Sequence, residues 1–205
     1  MSENLQQLQQ LAQNPDAVKW FDGLFRVARI EVTDTGEQFT VHSKGGTVEI
    51  TEGFNGDKPN FVVPLESENI RNMAGFFADG AIGEHEEYRI VKFMLRPCLE
   101  AALAMPILQN SALRKIVKIE TLWHEAFLDP KGNEDDQLTI ACVNEQWLVI
   151  PGYHGKPQRR VAITPAQALE FQRHVFAADE QNSLASWLEL GRWYLGFRDS
   201  ITVTS

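Results

Sequence analysis

The chain has 205 residues, of which 43% are hydrophobic and 10% aromatic, and a formal net charge of -9. That length suits one large domain or two small ones, and the apolar content excludes a disordered chain. The acidic balance argues against a nucleic-acid binder and against electrostatic attachment to anionic lipid.

The opening residues predict a helix, with Leu5, Leu8 and Leu11 three apart. Asn14-Pro15-Asp16 then breaks and restarts it, because Asn caps a helix and Pro suits its first position. A second short helix is expected through Val18, Phe21 and Leu24. Strands follow at Arg26 to Val32, Phe39 to Val41, Thr47 to Ile50 and Phe61 to Leu65. The glycines at 36, 45, 46, 53 and 56 punctuate them as turns. Pro64 places the fourth strand at an edge or a terminus.

Ile70, Met73, Ala74 and Phe77 then make one apolar helical face, with Ser67 as a cap and Asp79-Gly80 and Gly83 as its end. Ala81 to Leu95 reads as helix, and Pro97 is expected to restart another carrying Leu99, Ala102 and Leu103. Ile116 to Phe127 reads as a strand or short helix. Strands are expected at Leu138 to Ala141, Trp147 to Ile150 and Val161 to Ile163, and helices behind Thr164 and Ser183.

The two halves share this order. Sliding the chain by 99 positions lays Gln38-Phe39-Thr40-Val41 over Gln137-Leu138-Thr139-Ile140, and Gly53-Phe54-Asn55-Gly56 over Gly152-Tyr153-His154-Gly155. Without a gap, Val62 then meets Val161 and Ile70 meets Leu169. The expected fold is α+β, because strands precede helices in each half rather than alternating with them. Two related units are expected, at 1–110 with a helical extension and at 111–205. Each is an antiparallel meander of three to four strands followed by helices. Such units pair most simply with pseudo-symmetry, as in homodimers.

No apolar run approaches the roughly 18 residues of a membrane span; the longest candidate is interrupted by Arg96, Pro97 and Glu100. Met1 to Leu5 lacks the basic start and apolar stretch of a signal peptide, so a cytoplasmic protein is expected. Cys98 and Cys142 have no metal-type spacing and read as buried thiols.

No pattern announces catalysis, a metal or a cofactor. Trp123-His124-Glu125 offers a titratable pair, and Gly83-Glu84-His85-Glu86-Glu87 an acidic cluster. Neither has a second histidine at ligand spacing, and the cluster suits a helix start facing the dipole. Glu134-Asp135-Asp136 reads as a solvated loop, and Lys156, Arg159 and Arg160 as a charged strand edge or an anion site. What remains is apolar: Phe76 and Phe77, like Phe93 and Met94, cannot share one helix face. Methionine with phenylalanine makes a deformable lining. The candidate pocket-lining residues are therefore Met73, Phe76, Phe77, Met94 and Leu103.

Residues 26–80 resemble the sterol-carrier-protein-type lipid-binding domain. The resemblance rests on Phe39-Thr40-Val41, Gly45-Gly46-Thr47-Val48-Glu49-Ile50, Glu52-Gly53, and Phe61-Val62-Val63-Pro64-Leu65 followed by a helix to Phe77. It extends more faintly over 123–178. It implies helices covering a sheet around an apolar tunnel, with Phe77 lining the sheet–helix interface. The family returns to strands after that helix, whereas this chain continues as helix. The expected function is non-catalytic binding of an apolar or lipid-like molecule, without a cofactor or nucleic acid. The alternative is a scaffold or interaction protein, presenting Trp193, Tyr194 and Phe197 to a protein partner or a second copy. An enzyme built on His124 and Glu125 is the third reading.

Overall fold

The structure, a computed structural model, describes residues 1–203 other than Asp79, Ala81 and Val117, and the backbone but not the side chain of Ile107. The expected helix end at Asp79 and helix start at Ala81 thus lie outside the described residues. The chain forms two compact units, Met1–Pro97 and Cys98–Ser205, where the repeated order of elements suggests 1–110 and 111–205.

In the first unit, α1 (Glu3–Gln13) starts at Ser2, whose hydroxyl accepts the Leu5 N–H, and buries Leu5, Leu8 and Leu11. Asn14 caps α2 (Pro15–Phe21) through the Asp16 and Ala17 N–H groups. Leu24 falls outside this helix, because Gly23 turns the chain at φ 72°. Next come β1 (Val27–Val32), β2 (Gln38–Lys44), β3 (Thr47–Glu52) and β4 (Phe61–Leu65), then α3 (Ser67–Phe76) and α4 (Glu84–Leu103). The sheet order is β3-β2-β1-β4. Three strands form the antiparallel meander, and β4 joins β1 in parallel. Glu84, Glu86 and Glu87 occupy the first turn of α4, where its dipole favours them. The division between units falls inside α4, which runs through Pro97 rather than restarting there. Proline cannot donate to the carbonyl four residues back, so the helix forgoes one bond at Phe93.

The second unit continues with α5 (Pro106–Gln109), α6 (Ser111–Ile116), β5 (Leu122–Leu128), β6 (Glu134–Val143), β7 (Gln146–Pro151), β8 (Arg159–Ile163), α7 (Pro165–Gln181) and α8 (Leu184–Ser200). Its sheet order, β7-β6-β5-β8, and its strand directions repeat those of the first unit. Glu134 to Asp136 belong to β6 and are not a loop: a bulge at Ala126/Leu128 lengthens this hairpin, and the Asp129 carboxylate closes its tip on the Lys131 and Asn133 N–H groups.

Equivalent hydrogen bonds give the residue correspondence. The Asn60 side-chain oxygen accepts the Arg26 and Val27 N–H groups, and the Gln158 oxygen accepts those of Thr121 and Leu122. Thr40 Oγ1 donates to Gly53 O at 2.8 Å, and Thr139 Oγ1 to Gly152 O at 2.7 Å. The offset is therefore 99 for β2 and β3 (Thr40 to Thr139), 95 for β1 (Ala28 to Trp123) and 98 for β4 (Phe61 to Arg159). The gap-free alignment breaks after β3: buried Val63 matches buried Val161, while Val62 faces solvent. Replacing Thr40 or Thr139 by Val should each cost about 1 kcal/mol in urea unfolding, since a fully buried threonine loses its hydroxyl and a half-buried glycine carbonyl loses its donor. Thr139→Val should cost more, because Thr139 also accepts the His154 N–H.

The free edges differ. Thr202 bridges Val161, and Ile201 O accepts the Ala162 N–H, so the segment after α8 covers the edge of β8. Pro64 occupies the position of Ala162 in β4 and has no N–H to offer, which protects that edge.

The tight turns differ too. The first unit uses Gly45-Gly46 between β2 and β3, and the second uses Asn144 and Glu145 at φ 50° and 65°. Glu145 is held there by Arg114, whose buried guanidinium also donates to Leu108 O and lies 5.7 Å from the Trp147 ring centre. Glu145→Ala should cost about 2 kcal/mol, because it leaves Arg114 without its counter-charge. Glu145→Gly should recover about 1 kcal/mol of that by relieving the left-handed backbone. Chemical denaturation of the two variants separates these contributions.

Candidate ligand cavity in the first unit

Strand alternation sends Ala28 and Ile30 of β1, Val41 of β2, Val48 and Ile50 of β3 and Phe61 and Val63 of β4 to one face of the sheet. Leu8 and Leu11 of α1, Phe21 of α2, Met73 of α3 and Ile90, Phe93 and Met94 of α4 close over that face. Between them lies a cavity of about 80 Å³ with an almost wholly apolar wall. Ala12, Phe21, Val48, Ile50 and Phe93 are its half-exposed lining residues and mark its mouth.

Met73 and Met94 line this cavity, as the helix pattern suggested. Phe77 does not: it is buried just past α3, packed behind α2 against Trp20 and Phe21 at ring-centre distances of 6.3 and 6.2 Å. Phe76 lies under the Arg89 guanidinium, 4.9 Å from its ring centre. Leu103 is buried in the second unit. The helix pattern found part of the roof and missed the floor. Small strand residues such as Ala28 and Val48 carry no periodic signal of their own.

The second unit builds the corresponding sheet face from different residues. Trp123 stands in the place of Ala28, Glu125 of Ile30, Trp147 of Val48 and Arg159 of Phe61. The two indoles meet edge to face, ring centres 5.5 Å apart, and Trp147 Nε1 donates to Leu108 O at 3.0 Å. Large rings thus occupy the space over the sheet that the first unit leaves to Ala28 and Val48. Trp123 Nε1 donates to Glu125 Oε2 at 3.2 Å. Burial pushes the Glu125 carboxyl well above the usual range, only partly opposed by that hydrogen bond.

His124 and Glu125, adjacent on β5, point to opposite faces of the sheet and cannot act as a pair. β5 is a central strand, so His124 is not at the sheet edge. It is buried, stacks on Tyr153 at 4.6 Å, and pairs through Nε2 with His154 O at 3.0 Å. Arg29, its counterpart in the first unit, likewise donates to Asn55 O and lies over Phe54. Both side chains fasten a glycine turn to the sheet. Arg159 and Arg160 are engaged by Glu120 and Glu134 of this chain. Among the described residues no three His, Cys, Asp or Glu side chains converge as metal ligands. Apolar surroundings push the Cys98 thiol up to about 12, which denies it thiolate chemistry at neutral pH. Trp193, Tyr194 and Phe197 do not form an exposed patch: they cluster with Phe171 between α7 and α8, and Phe197 is buried.

Comparison with known proteins adds no family: no family model, curated protein or solved structure matches the chain. No helix among the described residues is long and apolar enough to cross a membrane.

Proposed function

We propose that the first unit binds an apolar, lipid-like small molecule without chemistry of its own. One observation carries this reading. The cavity between sheet and helices is walled by apolar side chains, and its floor keeps Ala28 and Val48 where the related unit has Trp123 and Trp147. The likeness of residues 26–80 to the sterol-carrier-type domain supports it further.

Size sets a condition. Ligand pockets commonly enclose about 300–1,000 Å³, so a cavity of about 80 Å³ must expand to take a lipid. Met73 and Met94 can adapt to an irregular guest at low cost. The test is a fluorescence titration with N-phenyl-1-naphthylamine, a neutral apolar dye, followed by displacement with fatty acids, sterols and quinones. The reading predicts saturable uptake of one dye per chain and displacement by one of these classes. Absence of saturable uptake contradicts it.

A further inference from the structure

We infer that α2 is the lid of the cavity and that the Trp20–Glu87 hydrogen bond is its latch. The inference rests on the ligand-binding reading, because the cavity in its present form is too small for a lipid and some wall element must yield.

The elements around the mouth are not held equally. α1 buries three leucines, and Asn4 near its start donates to Glu37 and Ser67. α4 runs for 20 residues and buries Ile90, Val91, Met94 and Leu95. β3 is bonded along its length to β2. α2 has seven residues and buries Ala17 alone. It contributes one side chain, Phe21, to the cavity wall, and that ring is half-exposed at the mouth.

Both ends of α2 are joints. Asn14 breaks the helical path from α1 at ψ 118°, and Gly23 turns at φ 72° after the helix. Short elements with few buried contacts open locally at the lowest free-energy cost. Hinge positions at element ends absorb such a movement. Besides the ring contacts of Trp20 and Phe21 with Phe77, polar contacts tie α2 down at both of its ends. Asn14 Nδ2 donates to Phe77 O at 2.7 Å, at the hinge itself, where it survives rotation. Trp20 Nε1 donates to Glu87 Oε1 at 3.1 Å, from the last turn of α2 to the first turn of α4. Lifting α2 withdraws Phe21 from the wall and breaks this second bond.

The test measures dye release by stopped flow and amide exchange of α2, using N-phenyl-1-naphthylamine as probe. Trp20→Phe keeps a ring but removes the donor, and Glu87→Ala removes the acceptor. Each should speed dye release about tenfold, in keeping with a hydrogen bond to a charged group. Each should also speed exchange in α2 while leaving exchange in β1 and β2 unchanged. Glu87→Gln retains an acceptor oxygen without the charge and should fall between the wild type and Glu87→Ala. Unchanged release and unchanged α2 exchange in Trp20→Phe overturn the lid. If the wild type takes up no dye, the ligand reading fails by itself. The exchange arm then still decides whether Trp20 restrains α2, and no acceleration there overturns the latch.

Discussion

The Ala28→Leu variant should lose uptake of the apolar dye at least tenfold while becoming more stable than the wild type. Ala28 is buried on the cavity floor between Val41 and Phe61. Leucine adds three carbon atoms to a void of about 80 Å³, which is two to three times the liquid volume of a water molecule. Filling a void of that size with apolar atoms contributes about 1–2 kcal/mol. The change also moves the floor toward its counterpart, where Trp123 occupies the same strand position. The two readouts constrain each other. If Ala28→Leu destabilises the fold by about 1–3 kcal/mol, the floor was already filled and the side chain is overpacked. If stability rises and dye uptake persists, the ligand lies elsewhere. Calorimetry and the dye titration on one preparation distinguish these outcomes.

The second large effect concerns pH and belongs to the second unit. Glu125 sits in an apolar interior, and burial raises its carboxyl above the ordinary value of 4.5. The folded state therefore holds this proton more tightly than the unfolded chain does. Its stabilising contribution is complete below the ordinary value and is lost as the pH rises through the folded-state value. Trp123 donates to the same carboxyl, and Tyr194 feels its charge, so ionisation has a visible reporter in the Trp123 indole. Glu125→Gln keeps an acceptor for Trp123 and cannot ionise. The variant should lack this decline, so its stability relative to the wild type should rise as the pH climbs through the folded-state value of Glu125. The acid side behaves oppositely. Glu37 accepts hydrogen bonds from Ser2, Asn4 and Thr35 that hold its carboxyl below the usual range, so its contribution fades as the pH falls, equally in both proteins. Denaturant midpoints across the pH range test this. A parallel decline in Glu125→Gln would show that another group carries the loss with rising pH.

The elements were legible where local chemistry decides them. Asn14, Thr164 and Ser183 cap the helices they were expected to cap, because a side-chain oxygen before an apolar-periodic run leaves few other conformations. The glycine turns and the strands they bound were equally plain, while Ile116 to Phe127, which holds β5, reads as strand or short helix. Longer-range choices were hidden. Nothing in Phe61 to Leu65 announces a parallel partner, since pairing direction depends on where the chain returns rather than on the strand's composition. Pro97 looked like a break, yet one lost backbone bond is tolerated within a helix of 20 residues. Glu134 to Asp136 looked like solvated loop, although Glu134 meets Tyr153 and Arg160 from within a strand.

The site was half visible for a related reason. Helical periodicity picks out Met73, Met94 and Phe77 alike, but Phe77 packs on Trp20 and Phe21, and it is Phe21 that reaches the cavity wall. The contrast between Ala28 and Trp123 appears only at an offset of 95, whereas the gap-free alignment at 99 begins at Gln38 and leaves β1 out. Extra residues in the β5–β6 hairpin conceal the correspondence that best separates the two units.

The central claim is that an apolar guest occupies the first unit. Native mass spectrometry of the purified protein, with organic extraction of the same sample, tests it most directly. The account predicts one apolar molecule per chain, present in the wild type or after incubation with fatty acids, sterols and quinones, and absent from Ala28→Leu. A chain mass that stays bare after all three incubations would contradict it.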